Sequence, residues 1–248
     1  MKIAVFCDSI GRIPEFRMSF AKSGNAQHDL VFLVCNNGGR SSWRYIAGQT
    51  RQAIIRYRIR DWLELARDLT IGRLHLGFGS LNSPHVIAFL ERHRPDIGLH
   101  AMGVIYREPI IQRCGLGILN AHIGNLPKYR GRSVMEWSIL CGDETAVTVF
   151  FIDSGIDTGS RIVVRDIVPL TEFRELDAAK RYLFAKDTEL YYKAVEKIKA
   201  GAALDVNDVR RGFRFYEMSS LFRTVLQLYF ENDPRHFGQH PQPHATGA

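Results

Sequence analysis

The residues whose types and spacing could do chemistry lie in one short stretch, 119–131, which reads LNAHIGNLPKYRG. An apolar run delivers Asn120 and His122 and then breaks at Gly124, Asn125 and Pro127. In an extended strand over 117–122 these two side chains are two residues apart and so project from one face, with Leu119 and Ala121 on the other. An amide and an imidazole side by side can donate hydrogen bonds to a reacting oxygen. In an open parallel sheet ligands gather beyond the carboxyl ends of strands, which is where this stretch would hold the pair. Taken singly, each residue has a plainer reading, Asn120 as a turn cap and His122 as a satisfied core histidine. A second polar loop, DSGIDTG, follows at 153–159, and its Asp157 reads by itself as the Asx residue of a tight turn.

The elements that must position these groups alternate between strand and helix. Residues 2–7 read as a buried strand. Asp8, Ser9, Ile10 and Gly11 then turn into a helix running to about Lys22, and backbone N–H groups at such a turn can hold a phosphate. There is no GxGxxG, so a dinucleotide site has little support. Residues 29–35 supply a second strand, ending in Asn36, Asn37, Gly38 and Gly39. From 42 to 68 the pattern is long, Arg-rich and partly amphipathic, with Trp43, Tyr45, Ile54, Ile55, Trp62, Leu63 and Leu65 as expected buried positions.

Ser83 followed by Pro84 predicts a helix start, and that helix should stop before Pro95. A strand over 96–101 leads to a loop at Met102 and Gly103, and Glu108 and Pro109 open a short helix. After the focal loop come a helix over 133–140, strands over 146–152 and 161–168, and one long helix over 171–200 that Gly201 stops. The alternation predicts an α/β domain with a doubly wound, mostly parallel sheet over 1–201. A small appendage over 202–231 carries the strand-like run Phe213, Phe215 and Tyr216. The remaining tail, 232–248, should be mobile, and Pro241 and Pro243 argue against reading His236, His240 and His244 as metal ligands on a helix.

Composition narrows the class. With 46% apolar and 24% charged residues the chain is an ordinary folded domain, and no run approaches the roughly 18 apolar residues of a membrane span. The opening MKIAVFCDS turns polar too soon for a secretion signal, so a cytoplasmic location is expected. Cys7, Cys35, Cys114 and Cys141 form no CxxC pair, which predicts reduced, mostly buried thiols and neither a zinc site nor a disulfide framework. The formal charge of +7 favours an anionic partner. Eight arginines between Arg40 and Arg73 read either as a solvated helix face countered by Asp61, Glu64 and Asp68 or as a phosphate-binding wall.

LNAHIGNLPKYRG followed by FFIDSGIDTGSRIV resembles the folate-dependent formyltransferase family, whose members carry a pattern like LNxHxSLLPxYRG and later xxxDxGxDTGxI. The specific part covers 118–162, and the order of elements extends the resemblance to about 1–200. It implies a Rossmann-like sheet and, by matching position, Asn120, His122 and Asp157 as the catalytic residues, with Asp153 a non-catalytic neighbour. It also implies a folate pocket lined by Met102, Gly103, Val104, Ile105 and Tyr106 and by the loop holding Asp153 and Gly155. Ser9 and Arg12 in the first turn, with Lys128, Tyr129 and Arg130 near the end of the first motif, are the expected substrate contacts.

The implied reaction moves a formyl group from N10-formyltetrahydrofolate to an amine without a metal or covalent intermediate. Asn120 and His122 would form the oxyanion hole, and Asp157 would orient His122 or a water and help take the amine's proton. Gly124 and Asn125 depart from the serine and leucine usual in the purine-pathway and methionyl-tRNA branches and resemble the sugar-modifying branch. That branch implies a nucleotide-linked amino sugar as substrate, a 4-amino-4,6-dideoxyhexose leaning towards GDP-perosamine, used in O-antigen lipopolysaccharide biosynthesis. It also implies a homodimer through Phe213, Phe215 and Tyr216, with no nucleic-acid or membrane partner. The segment after Gly201 is too short for the OB-fold of the tRNA enzyme, and Asp8-Ser9-Ile10-Gly11 matches the phosphate loop of the purine-pathway enzyme poorly. A reading of another class, a non-catalytic RNA- or nucleotide-binding protein using the Arg40 to Arg73 run, lacks an aromatic platform or RNA-binding signature.

Overall fold

Runs rich in Val, Ile, Leu and Phe form most of the strands: β1 (Lys2–Cys7), β2 (Asp29–Cys35), β3 (Leu74–Gly77), β4 (Ile97–Ala101), β5 (Ile118–His122), β6 (Tyr129–Gly131), β7 (Ala146–Phe151), β8 (Arg161–Ile167), β9 (Asp205–Val206) and β10 (Phe213–Phe215). The structure is a computed structural model that describes residues 1–21, 28–35, 51, 57–77 and 81–232. The expectations for 36–39, Trp43, Tyr45, Ile54, Ile55 and the tail histidines lie outside the described residues. A mostly parallel eight-stranded sheet has the order β3-β2-β1-β4-β5-β7-β8-β9, and β6 and β10 form a separate pair. The chain divides into two compact units, Met1–Asn120 with Phe151–Gly155, and Ala121–Phe150 with the chain from Ile156 onward. One of the divisions falls within β5.

In the first unit β1 pairs in parallel with β2 and β4, β2 with β3, and β4 with β5. Strand order therefore reverses between β1 and β4, the switch point at which a doubly wound sheet opens a crevice. Strands covered on both faces read as continuous apolar runs, and Ile3 to Cys7 and Val31 to Cys35 are all fully buried. Around them lie α1 (Ile13–Ala21), α2 (Ile59–Thr70), α3 (Pro84–His93) and α4 (Glu108–Ile111). Phe6, Leu33, Leu90, Tyr106, Ile110 and Ile118 share one core cluster. Gly98 sits within it because a Cβ there would lie 2.9 Å from both Ile118 and Phe6. All four cysteines are free and three are buried, and burial pushes the thiols of Cys35 and Cys114 up to about 12.

One expectation for α2 needs correcting, while Glu64 does counter Arg60 of the same run at 3.0 Å. Trp62 and Leu63 are exposed, because the inward face is set by Leu65 and Asp68, three residues apart. Asp68 is countered from α1 by Arg17, which also holds Glu64 at 3.1 Å, so part of the counter-charge comes from outside the Arg-rich run. The four-residue β3 was not expected, since LHLG is too short to show a period.

The second unit has β8 antiparallel to both β7 and β9, with α5 (Val134–Leu140), α6 (Leu176–Ala185), α7 (Asp187–Lys199) and α8 (Ser220–Asn232). The single helix expected over 171–200 is instead α6 and α7. Their buried stripe, Leu176, Ala179, Leu183 and Leu190, would have to pass through Asp187, and Lys186 is tied to Asp166 of β8 at 2.7 Å, so the helix breaks at the junction. Glu136 of α5 is only 1% exposed and is held by Lys180 of α6 at 2.9 Å, with Arg223 of α8 at 3.8 Å. The appendage thus includes a 13-residue helix, α8, that the sequence reading did not single out. It buries Leu226 and Phe230 and leaves Leu221, Phe222, Val225, Leu228 and Tyr229 between 56% and 72% exposed. Among the described residues no helix is long and apolar enough to cross a membrane.

Candidate active site

His122 ends β5 with its ring buried, 8% exposed. Its Nε2 lies 3.0 Å from the carbonyl oxygen of Tyr129. A carbonyl only accepts, so this nitrogen carries a proton. On the other side Nδ1 stands 3.5 Å from Oδ1 of Asp157, an electrostatic pairing longer than a good direct hydrogen bond. Phe150 closes the ring in edge-on, with centroids 6.5 Å apart.

Asp157 occupies a left-handed backbone conformation with φ of 54°, which aspartate tolerates better than most residues. That turn aims its carboxylate back at the focal loop, where Oδ2 accepts from Gly131 N–H at 2.9 Å. Gly131 is itself left-handed, with φ of 101°, and a Cβ there would run into the carbonyl of Phe215 in β10. The strand β10 lies parallel to β6, pairing Phe213, Arg214 and Phe215 with Tyr129, Arg130 and Gly131. Thr148 Oγ1 donates to Gly124 O at 2.6 Å, and Arg165 donates to Leu126 O at 2.6 Å. The loop that faces His122 is therefore braced along its length.

Asn120 is half-buried and closes the first unit. Strand alternation places it on the side of β5 that His122 also uses. Its register partner in β4 is His100, whose Nδ1 is 3.0 Å from the Tyr106 hydroxyl. Sequence reasoning missed His100; only the parallel register of β4 and β5 brings it beside Asn120. In the loop after β4, Met102 and Tyr106 are buried, Val104 is half-buried, Ile105 is exposed, and a Cβ on Gly103 would meet nothing within 4 Å. Asp153 accepts from Gly155 N–H at 2.9 Å in an Asx turn. At the end of β1, Ser9 Oγ caps the following turn by accepting from Gly11 N–H at 3.0 Å, and Arg12 pairs with Glu15 at 3.0 Å. These β1 and β4 loops flank the switch point of the first unit.

The residues near the end of the focal stretch have internal partners. Tyr129 is buried, donates its hydroxyl to Asp143 and stacks on Phe215 with centroids 5.1 Å apart. Burial and that hydrogen bond push its hydroxyl well above the usual phenol range. Arg130 donates to the carbonyls of Val209 and Gly212 at 3.1 and 3.2 Å, and exposed Lys128 pairs with Asp143 at 2.6 Å. Among the described residues no group of three or more His, Cys, Asp or Glu side chains could hold a metal ion.

Gly124 is required by close approach and not by an unusual backbone. A Cβ at this position would lie 2.5 Å from His122 Nε2, 2.7 Å from its Cδ2 and 2.8 Å from Tyr129 O. Serine, usual here in two branches of the resembled family, would collide with the ring as it is placed. Gly124→Ala should therefore force His122 off the Tyr129 carbonyl, lower stability by about 1–3 kcal/mol as overpacking does, and shift the His122 ring resonances. A thermal melt and an imidazole NMR spectrum identical to wild type would contradict this.

The formyl transferase family model matches residues 1–195. The methionyl-tRNA formyltransferase of Roseiflexus castenholzii is 34% identical over 125 residues, which are 50% of this chain and 40% of that protein. The match thus spans about two fifths of that relative's length. Among solved structures, a 4-N formyltransferase from Francisella tularensis aligns with a TM-score of 0.57 at 13% identity, over 92% of this chain and 87% of that one. The formyltransferase PseJ from Anoxybacillus kamchatkensis, in complex with UDP-4,6-dideoxy-4-formamido-L-AltNAc and tetrahydrofolate, aligns with a TM-score of 0.55 at 17% identity, over 96% and 97%. At these identities the structural likeness establishes a shared fold. The family model covers most of the chain, including the His122 and Asp157 loops, and the chain belongs to the formyl transferase family.

Proposed function

We propose that this chain transfers the formyl group of N10-formyltetrahydrofolate to the amino group of a nucleotide-linked amino sugar, a 4-amino-4,6-dideoxyhexose. The observation that carries the reading is the His122 ring held between the Tyr129 carbonyl and the Asp157 carboxylate, with Asn120 two residues earlier in β5. As the amine attacks, a C–N bond forms to the formyl carbon and its oxygen becomes an oxyanion. The Asn120 amide can donate to that oxygen. His122 has already committed Nε2–H to Tyr129, so the nitrogen left to face the oxyanion is Nδ1, on the side of the ring where Asp157 stands. Asp157 takes the proton that the amine loses and returns it to N10 of the folate as the bond from the formyl carbon to N10 breaks and the oxyanion collapses to the new formamide.

The first unit supplies groups that suit the folate. The open backbone at Gly103, the exposed Ile105 and the turn at Asp153 and Gly155 offer apolar surface beside backbone hydrogen-bonding groups, which a flat pterin needs. Ser9 and Arg12 at the end of β1 are our candidates for the diphosphate. Support for a sugar acceptor comes from Gly124-Asn125, from the +7 charge and from the sugar nucleotide bound in the Anoxybacillus protein. The reading takes the cytoplasm as the site of the reaction, without a nucleic-acid or membrane partner.

A second reading, formylation of methionyl-tRNA, is favoured by the names of the curated relatives. The purified chain should be incubated with N10-formyltetrahydrofolate and GDP-, dTDP- and UDP-linked amino sugars, with methionyl-tRNA and glycinamide ribonucleotide in parallel. A mass gain of one formyl group on a sugar nucleotide is expected, GDP-perosamine first. Product on the tRNA or ribonucleotide alone, or on none of them, would sink the sugar reading.

The proposal includes a homodimer, with a second copy covering α8. Its exposed Leu221, Val225 and Leu228 recur at i, i+4 and i+7, flanked by Phe222 and Tyr229, a stripe that two copies can bury against each other about a two-fold axis. Exposed Phe213 and Tyr216 lie in the same appendage, whereas Phe215 is stacked on Tyr129 and Trp137. Light scattering should give a dimer mass for the wild type and a monomer mass for the double variant Leu221→Glu, Val225→Glu; a monomeric wild type at micromolar concentration would refute the dimer.

A further inference from the structure

Asn207 lies in the appendage, just beyond β9, and is 4% exposed. Its backbone N–H donates to Ser160 O at 2.8 Å, which continues the β8–β9 pairing of Arg161 with Val206. The side chain then reaches the turn that carries Asp157. Its Nδ2 donates to the Gly159 carbonyl at 2.8 Å and to the carbonyl of Asp157 itself at 3.3 Å. Both partners can only accept, so the amide nitrogen must face them. The amide oxygen, Oδ1, is buried with no hydrogen-bond partner. Burying an unsatisfied oxygen costs stability, so the residue is held in place by what its nitrogen does.

What the nitrogen does is fix a strained turn. Asp157 has its φ at 54°, and the carboxylate meets both Gly131 N–H at 2.9 Å and the His122 ring at 3.5 Å only while the turn keeps that conformation. Residues farther along the same segment grip the opposite wall of the site. Arg130 holds the carbonyls of Val209 and Gly212, and β10 lies beside β6. We infer that Asn207 is a positioning residue that sets the Asp157 carboxylate against His122, so that the appendage forms part of the reaction centre and is more than a covering for the core. The inference rests on the formyl-transfer reading for its effect on rate, though not for its effect on the His122 ring.

The test compares wild type, Asn207→Ala, Asp157→Asn and the double variant. Asn207→Ala should slow single-turnover formyl transfer by on the order of 10-fold to 10²-fold, as a small misplacement of a reacting group does. Affinities for folate and sugar nucleotide should stay within about twofold of wild type. In the Asp157→Asn background the same substitution should add less than about twofold, because a residue acting through Asp157 has nothing left to position. Independently of activity, the His122 ring resonances, assigned by their loss in His122→Gln, should move in Asn207→Ala while those of His75 and His93 stay in place.

Should Asn207→Ala fail to fold, Asn207→Ser, which keeps a donor but cannot span both carbonyls, is read in the same way. A rate within about twofold of wild type with unmoved His122 resonances, or a full further loss on top of Asp157→Asn, would overturn the inference. If the wild type formylates no acceptor, the proposed function fails, and the resonance shift alone decides the role of Asn207.

Discussion

The His122 imidazole is buried with its Nε2 edge close against the backbone of its own loop, and much of the second unit follows from that contact. Its Nε2 needs an acceptor, the Tyr129 carbonyl supplies one at 3.0 Å, and the loop between them has room only for glycine at 124. Bringing β6 that close turns the chain through Gly131, whose bare Cα allows the Phe215 carbonyl to approach. The Gly131 N–H left facing inward then receives Asp157. One ring position thus fixes a strand, a glycine and a carboxylate. It also makes a segment some 80 residues away in sequence part of the wall.

Buried charge is handled in the same economical way in both units. Glu136, at 1% exposure, draws Lys180 from α6 and Arg223 from α8, and Asp68 draws Arg17 from α1. Removing one partner of such a buried pair typically costs about 3–5 kcal/mol, because the other charge is left without compensation. These pairs therefore set where helices sit as well as how stable they are. In the second unit the Glu136 cluster joins the helix that follows the focal loop to α8, so that loop and the appendage share one support.

Asn120 and His122 were legible in the sequence because strand periodicity is strict and the apolar run around them breaks sharply. Asp157 was legible only through the resemblance, since by itself it is one more aspartate in a tight turn. Asn207 was not legible at all. A lone asparagine in the polar string DVND has no period, and its meaning comes from a pairing of β8 with β9 that brings residues 50 positions apart together. The run 171–200 misled because helix propensity continues through Lys186 while the buried stripe does not. The helix α8 went unnoticed although its apolar residues recur at helical spacing, with Leu226 and Phe230 inward and Leu221, Val225 and Leu228 outward.

The central claim is that Asp157, set against His122, handles the amine's proton during formyl transfer. The most direct measurement is the single-turnover rate of Asp157→Asn with N10-formyltetrahydrofolate and the accepted amine, alongside both binding constants. Asparagine keeps the shape and tolerates the left-handed turn but cannot take a proton. A loss of about 10²–10⁴-fold in rate is expected, the usual contribution of a positioned acid–base group, with binding nearly unchanged. A rate within a few fold of wild type would contradict it.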